Sequence, residues 1–362
     1  MNASIPHSSS NLSDPVYPNS SSIFAFLWHG HEMELYRWLI VSGIVCGLGV
    51  LLNATVLVAL ITLERVAHSS CRLQIAHLLA IDLLQCTTAG PLALINTPRP
   101  RVNTLLECFL LRVPFMLVEC AANWCACFLA LNRFVAIVFP LKYRRLSRRP
   151  VLDVASIALP WLAGVLLTLP YMTGYGGVWV TRPPMFRCLL LESPHYSSNN
   201  ILFLGFVLPM ALLMVFYVSA AGKMVLRRSE ARRRREQIHH HHQAIALGGA
   251  VAVTAAANPA VMRGNERRYA LAKMLFLAAL LYTMLYLPNP VITFHFPRLV
   301  NDSLIYRLWL RTVYNAGLLV NPIVFVTMSL EYRMELLRLF RNFADRFYRV
   351  LCGPPSVGPS LN

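Results

Sequence analysis

A bundle of seven membrane-spanning helices, an all-α membrane protein, is the fold this sequence predicts, and three observations predict it. The 362 residues are 56% hydrophobic and only 14% charged, where soluble domains carry roughly 25% charged residues. The apolar residues gather in seven long runs, each exceeding the roughly 20 residues a helix needs to cross hydrocarbon. Lys and Arg concentrate in alternate connections between those runs, the pattern that sets membrane topology. A soluble enzyme is not expected from this composition. The net charge of +17 follows from the same topology rather than from a nucleic-acid partner.

Residues 1–36 are expected to form an extracellular amino-terminal segment; its first 22 residues are rich in Ser, Asn and Pro and carry glycosylation sequons beginning at Asn2, Asn11 and Asn19. These are usable only outside the cytoplasm. No basic region followed by a compact apolar stretch precedes them, so no cleavable leader is expected. The transmembrane domain covers 37–328, with spans at 37–62, 73–95, 109–139, 151–171, 200–226, 269–295 and 304–328. Of the 33 Lys and Arg, 23 fall in the connections 63–72, 140–150 and 223–273 and in the segment from 330. That excess places the carboxyl end in the cytoplasm and the amino end outside, as for a multi-pass plasma-membrane protein.

A long cytoplasmic loop is expected over 227–268. Within it, the Ala- and Gly-rich run 244–257 follows Arg232–Arg235 and His239–His242 and is closed by Asn258-Pro259. It reads as a low-complexity insert rather than an eighth span. Residues 330–348 place Leu336, Leu339, Phe340, Phe343 and Phe347 on one side and Arg333, Arg338, Arg341 and Arg346 on much of the rest. This predicts a short amphipathic eighth helix in the inner interface. Cys352, in the tail 349–362, is positioned for a reversible acyl anchor.

Polar groups inside hydrocarbon are costly and face the bundle interior. Asn53, Asp82 and Asn321 fall at similar depth and are expected to share hydrogen bonds, waters or a cation around one carboxylate. Arg133 ends the third span at the cytoplasmic boundary. The nine cysteines contain no CxxC pair, and no metal-ligand spacing is present. No Ser/His, His/Glu or paired-Asp constellation occurs at matched depth, so no enzyme is expected. A membrane transporter is the alternative class, but neither internal repeats nor interrupted half-helices appear.

Several elements occur in an order that resembles the rhodopsin-like (class A) G-protein-coupled receptors, over about residues 35–350. Asn53 stands as the family's first-helix asparagine, and Leu78-Leu79-Ala80-Ile81-Asp82 resembles its second-helix Leu-Ala-x-x-Asp. Asn132-Arg133-Phe134 stands where the family has Asp-Arg-Tyr, and Trp161 matches the fourth-helix tryptophan. Pro209 and Tyr217 have the fifth-helix spacing. Tyr282 to Pro288 aligns with Phe-x-x-Cys-Trp-x-Pro, and Asn321-Pro322-Ile323-Val324-Phe325 with Asn-Pro-x-x-Tyr.

The resemblance implies a receptor that transduces an extracellular ligand signal to heterotrimeric G proteins by outward movement of the sixth helix at Pro288. It implies an activation switch of Asn132, Arg133, Tyr217, Tyr286, Pro288, Asn321, Pro322 and Phe325, and a disulfide between Cys108 and Cys188. It also implies a sodium ion near Asp82; Ala122 stands where a serine often helps to hold it, so no cofactor is expected. Asn132 and Arg268 replace acids that clasp the resting state in the family, which predicts raised basal signalling. Phe325 lacks the hydroxyl that would support the active state and pulls the other way.

Phe115 occupies the position where amine receptors carry an aspartate, and Asn315 that of the opsin lysine, so amine and retinal ligands are not expected. Arg112, Arg307 and Arg311 near the outer ends of their spans suit an anionic small molecule or short peptide. Glu119, two turns deeper than Arg112, is expected to neutralise one arginine. The candidate pocket is Arg112, Phe115, Glu119, Arg311 and Asn315, with membrane lipid as a further partner. A chemosensory receptor for environmental molecules is the alternative within the class.

Overall fold

The computed structural model describes residues 28–62, 70–98, 102–182, 187–194, 197–247, 273–274, 276–296, 299–300, 303–328 and 330–352. The sequons at Asn2, Asn11 and Asn19, residue Arg268 and the run 248–257 lie outside them. The first four helices of the bundle are Glu32–Thr62, Ser70–Asn96, Leu105–Val138 and Pro150–Met172. The fifth is built from Asn199–Leu202, a π turn Phe203–Val207 and Leu208–Leu247. The sixth covers 276–286 and Pro288–His295, and the seventh joins Leu304–Ala316 to Val320–Met328 through the 3-10 turn Gly317–Leu319. A hairpin of β1 (Gly177–Arg182) and β2 (Arg187–Glu192) joins the fourth and fifth.

Among the described residues, five helices are long and apolar enough to cross a membrane on length and composition alone: the first, second, fourth, fifth and sixth. The third spends its 34 residues at the centre of the bundle, packed on the second, fourth and fifth helices and on β1. The seventh is divided by its 3-10 turn. Apolar side chains cover the outside as well as the core. Ile40, Ile44, Leu48, Leu51, Val58 and Ile61 of the first helix are exposed, as a helix surrounded by hydrocarbon requires. The threonines obey the same solvent. Thr55, Thr87, Thr88, Thr168 and Thr327 donate their hydroxyls to the carbonyl four residues back, so none presents a spare donor to lipid.

Prolines create the opposite problem, a carbonyl without its amide. Pro209 has no N–H for the oxygen of Gly205, and the backbone there opens into the π turn. The side-chain amide of Asn123, from the third helix, donates to that oxygen at 2.9 Å. Pro322 likewise leaves the oxygen of Leu318, beside the 3-10 turn, and Asn53 of the first helix donates to it at 3.1 Å. Asparagines on neighbouring helices thus hold two proline-broken helices in place.

Two boundaries differ from the sequence reading. The fifth helix does not end in a loop at 227; it continues to Leu247. Residues 227–247 are mainly Arg, Glu, Gln, Ala and Leu, strong helix formers, and Gly and Pro are absent from them. The amphipathic helix runs over Leu330–Cys352, four residues beyond the expected end at 348, because the first breakers are Gly353 and Pro354. Arg227 bonds back to the oxygen of Ile137 at 2.8 Å, tying the start of the long extension to the third helix.

Gly205 also lets the third and fifth helices approach. A Cβ there would lie 2.7 Å from the Cys120 sulfur. Gly205→Ala is expected to cost about 1–3 kcal/mol by overpacking and to lower the melting temperature in detergent. Adding Cys120→Ala should recover most of the loss.

Candidate functional site

At one end of the bundle, the hairpin covers a cavity. Thr104 caps the third helix in a reciprocal pair with Glu107, which sets Cys108 on its first turn. Cys108 is bonded to Cys188 of β2, and Cys188 pairs with Thr181 of β1. The Thr181 hydroxyl exchanges hydrogen bonds with the Asn103 backbone, both at 3.0 Å. Gly177 turns into β1 at φ +121°, where a Cβ would lie 2.2 Å from the Leu191 oxygen; only glycine fits. The hairpin is therefore fixed to the third helix at its mouth.

The cavity beneath encloses about 590 Å³ between the first, second, third, sixth and seventh helices. Its charged lining consists of Arg112, Arg307 and Arg311. Arg112 sits 6.0 Å from the Trp179 ring of β1, and Arg311 packs 4.4 Å from the Phe115 ring and 4.7 Å from that of Tyr314. These faces orient the guanidinium planes. Arg112, Arg311 and Glu119 act on one another electrostatically. Glu119 lies beneath the cavity, 3.6 Å from Arg311, and accepts the Tyr314 hydroxyl at 2.5 Å. The acid thus meets Arg311 of the seventh helix. Of the expected pocket, Arg112, Phe115 and Arg311 line the cavity, whereas Glu119 and Asn315 do not.

Below Arg311, three tyrosines stack. Tyr314 lies 3.9 Å from Tyr286, and Tyr286 lies 4.5 Å from Tyr282. Tyr286 donates to Gln85 of the second helix at 3.2 Å, and Tyr282 donates to Asn123 at 3.3 Å. A Cβ on Gly317 would lie only 3.2 Å from the Tyr286 ring, so the seventh helix presses on the same tyrosine. Tyr286 is two residues before Pro288, where the sixth helix breaks.

In the middle of the bundle, Asn321 donates to the Asp82 carboxylate at 2.8 Å. Asn53 bonds the oxygens of Gly49 and Leu318, so the expected three-residue cluster divides: one side-chain pair, and one asparagine that serves backbone. Trp161 donates to His77 at 2.8 Å, joining the fourth helix to the second. Toward the other end, Asn132 donates to Gln74 of the second helix at 2.7 Å. Tyr217 and Phe325 are buried, and Phe134 stacks on Phe216 at 5.6 Å.

Sequence reading missed Gln74, His77, Gln85, Asn123 and Tyr314. Gln85 and Asn123 stood out as polar residues within apolar runs; their partners on other helices had no local signal.

A seven-helix membrane receptor is the class that this bundle and its covered, charged cavity define. The model of the 7 transmembrane receptor (rhodopsin family) matches residues 52–325, and the chain belongs to that family; it is a receptor and not an enzyme. The comparison with curated proteins finds no match.

The Tyr314 bond to Glu119 is a hydrogen bond to a buried acid, worth about 1.5–3 kcal/mol if the acid is charged. Tyr314→Phe should lower the melting temperature in detergent accordingly. Tyr306→Phe, at an exposed ring of the same helix, should leave it unchanged.

Proposed function

We propose that this chain is a plasma-membrane receptor for a small anionic ligand, with its amino end extracellular and a heterotrimeric G protein as its cytoplasmic partner. The observation that carries the reading is that Arg112 of the third helix and Arg311 of the seventh line one cavity, with Glu119 3.6 Å from Arg311 beneath it. Two half-buried cations against one carboxylate leave positive charge that a ligand carboxylate or phosphate would balance. Guanidinium forks match that geometry. The cavity volume is that of a small-molecule site.

The orientation rests on two supports. The disulfide at the hairpin end suits an oxidising exterior, and the basic excess of the opposite connections suits the cytoplasm. On that side the connection after the third helix carries Lys142, Arg144, Arg145, Arg148 and Arg149, which would meet anionic lipid or an acidic partner. Cys352 would add an acyl anchor at the end of the interfacial helix.

Ligand binding shifts the receptor only as far as its affinities for the two states differ. Closing an anion between the third and seventh helices changes what Glu119 and Tyr314 meet, and through their ring contact what Tyr286 meets. The sixth helix, broken at Pro288, is then free to swing from Arg133 and Tyr217.

Arg133→Ala should abolish G-protein activation in a ligand-free panel of G-protein classes, at matched surface expression. Asn132→Asp restores an acid beside Arg133 and should lower ligand-free output; equal output from both forms would contradict raised basal signalling. Arg311→Ala should weaken the potency of carboxylate agonists by tenfold or more, on the order of one charge-assisted hydrogen bond, with a smaller loss of surface expression.

A further inference from the structure

We propose that the ligand is an amphipathic organic acid whose far end carries a hydrogen-bond acceptor, and that Gln85 reads that acceptor. This rests on the anion reading above and names the opposite end of the same ligand.

The cavity has different chemistry at different depths. Its lining on the second helix runs from Leu84 and Gln85 to Asn96 and Thr97, which at the helical rise is about 16–18 Å from floor to mouth. Arg112 and Arg311 supply charge on the third and seventh helices. The walls around them are mainly apolar, with Leu92, Leu110, Phe115, Val118 and Leu308 in the lining. Such a wall receives a hydrocarbon or aromatic body.

Gln85 is the polar residue of the floor, and it is 2% exposed. Its orientation is set by Tyr286, whose hydroxyl donates to Oε1 at 3.2 Å. The amide nitrogen Nε2 makes no hydrogen bond, although it carries two N–H donors. A buried amide donor without an acceptor is costly, and native proteins rarely keep one. A carbonyl, ether or hydroxyl oxygen on the ligand would complete it. Trp28, just before the first helix, also lines the cavity, and its indole nitrogen is buried without an acceptor.

Gln85 also touches the moving part. Its Oε1 holds Tyr286, which lies between the Tyr314 and Tyr282 rings two residues before Pro288. An acceptor that engages Nε2 therefore acts on Tyr286 of the sixth helix directly, in addition to the route from Arg311 through Glu119 and Tyr314. Acids without the distal acceptor should bind and signal weakly; acids with it should signal strongly.

The test uses the full-length receptor in cells, with medium-chain alkanoic acids and ketone-terminated acids of equal chain length as probes. G-protein activation and competition binding are read at matched surface expression. The keto acid should be about tenfold more potent than the plain acid, the ratio expected of one added hydrogen bond. Gln85→Leu should bring the two to equal potency, read as their ratio because loss of the Tyr286 acceptor acts on both acids, while Arg311→Ala should weaken both and keep the ratio. Gln85→Glu keeps the acceptor for Tyr286 and removes the donors, so it should also erase the keto preference; the ratio of the two probes cancels any change in receptor number. If either variant preserves the ratio, Gln85 reads no acceptor and the proposal falls, with the anion reading intact. If neither acid binds or activates the wild type, the anion reading and the proposal fall together.

Discussion

Hydrocarbon offers no water to a backbone carbonyl that has lost its amide, and the architecture is arranged around that constraint. Pro209 and Pro322 each leave such an oxygen, at Gly205 and Leu318, and an asparagine from another helix donates to each. These two bonds do more than satisfy a polar atom. Asn123 joins the third helix to the fifth and, by accepting from Tyr282, to the sixth. Asn53 joins the first helix to the seventh, next to the Asp82–Asn321 pair. The weak points of two helices are thereby referred to fixed positions on their neighbours, so a break in the ladder becomes a hinge of defined direction.

From that frame the cavity and the opposite end are mechanically related. The contacts pass from Arg311 to Glu119, to the Tyr314 hydroxyl, across the stack to Tyr286 and Tyr282, and on to Asn123 and the π turn of the fifth helix. Each step is a short hydrogen bond, ion pair or ring contact between different helices or along the sixth. The residues that depart from the family pattern belong to this path or to its far end. Tyr286 replaces a tryptophan and gains a phenolic donor, which it gives to Gln85. Asn132 replaces an acid and donates to Gln74, a neutral bond where the family pattern has a charged one.

Much of this was legible in the sequence, for physical reasons. Hydropathy marks helices because lipid excludes polar runs, and the five helices that stand as spans on composition coincide with runs read from the sequence. Cys108 and Cys188 pair as the family resemblance implied. Asp82 was visible as a charge at depth. Its partner Asn321 sits 239 residues away, and only the ordered motifs of seven spans brought the two together. Asn123 was harder to interpret. A polar residue in an apolar run signals an interior partner but not which one, and here the partner is a carbonyl released by a proline 86 positions later, an offset fixed by helix packing. The helical extension to Leu247 was missed because charge was read as loop, although Arg, Glu and Gln favour a helix wherever no Gly or Pro interrupts them.

The most direct test of the central constraint is a double-mutant cycle on thermal unfolding in detergent with Asn123→Leu and Pro209→Ala. Alanine at 209 returns an N–H to the Gly205 carbonyl, so the account predicts that Asn123→Leu costs about 1–3 kcal/mol with proline present and much less with alanine. The interaction energy should be of the size found for directly coupled groups, on the order of 1 kcal/mol. Equal cost in both backgrounds would mean that Asn123 does not serve the carbonyl freed by the proline, and would contradict the account.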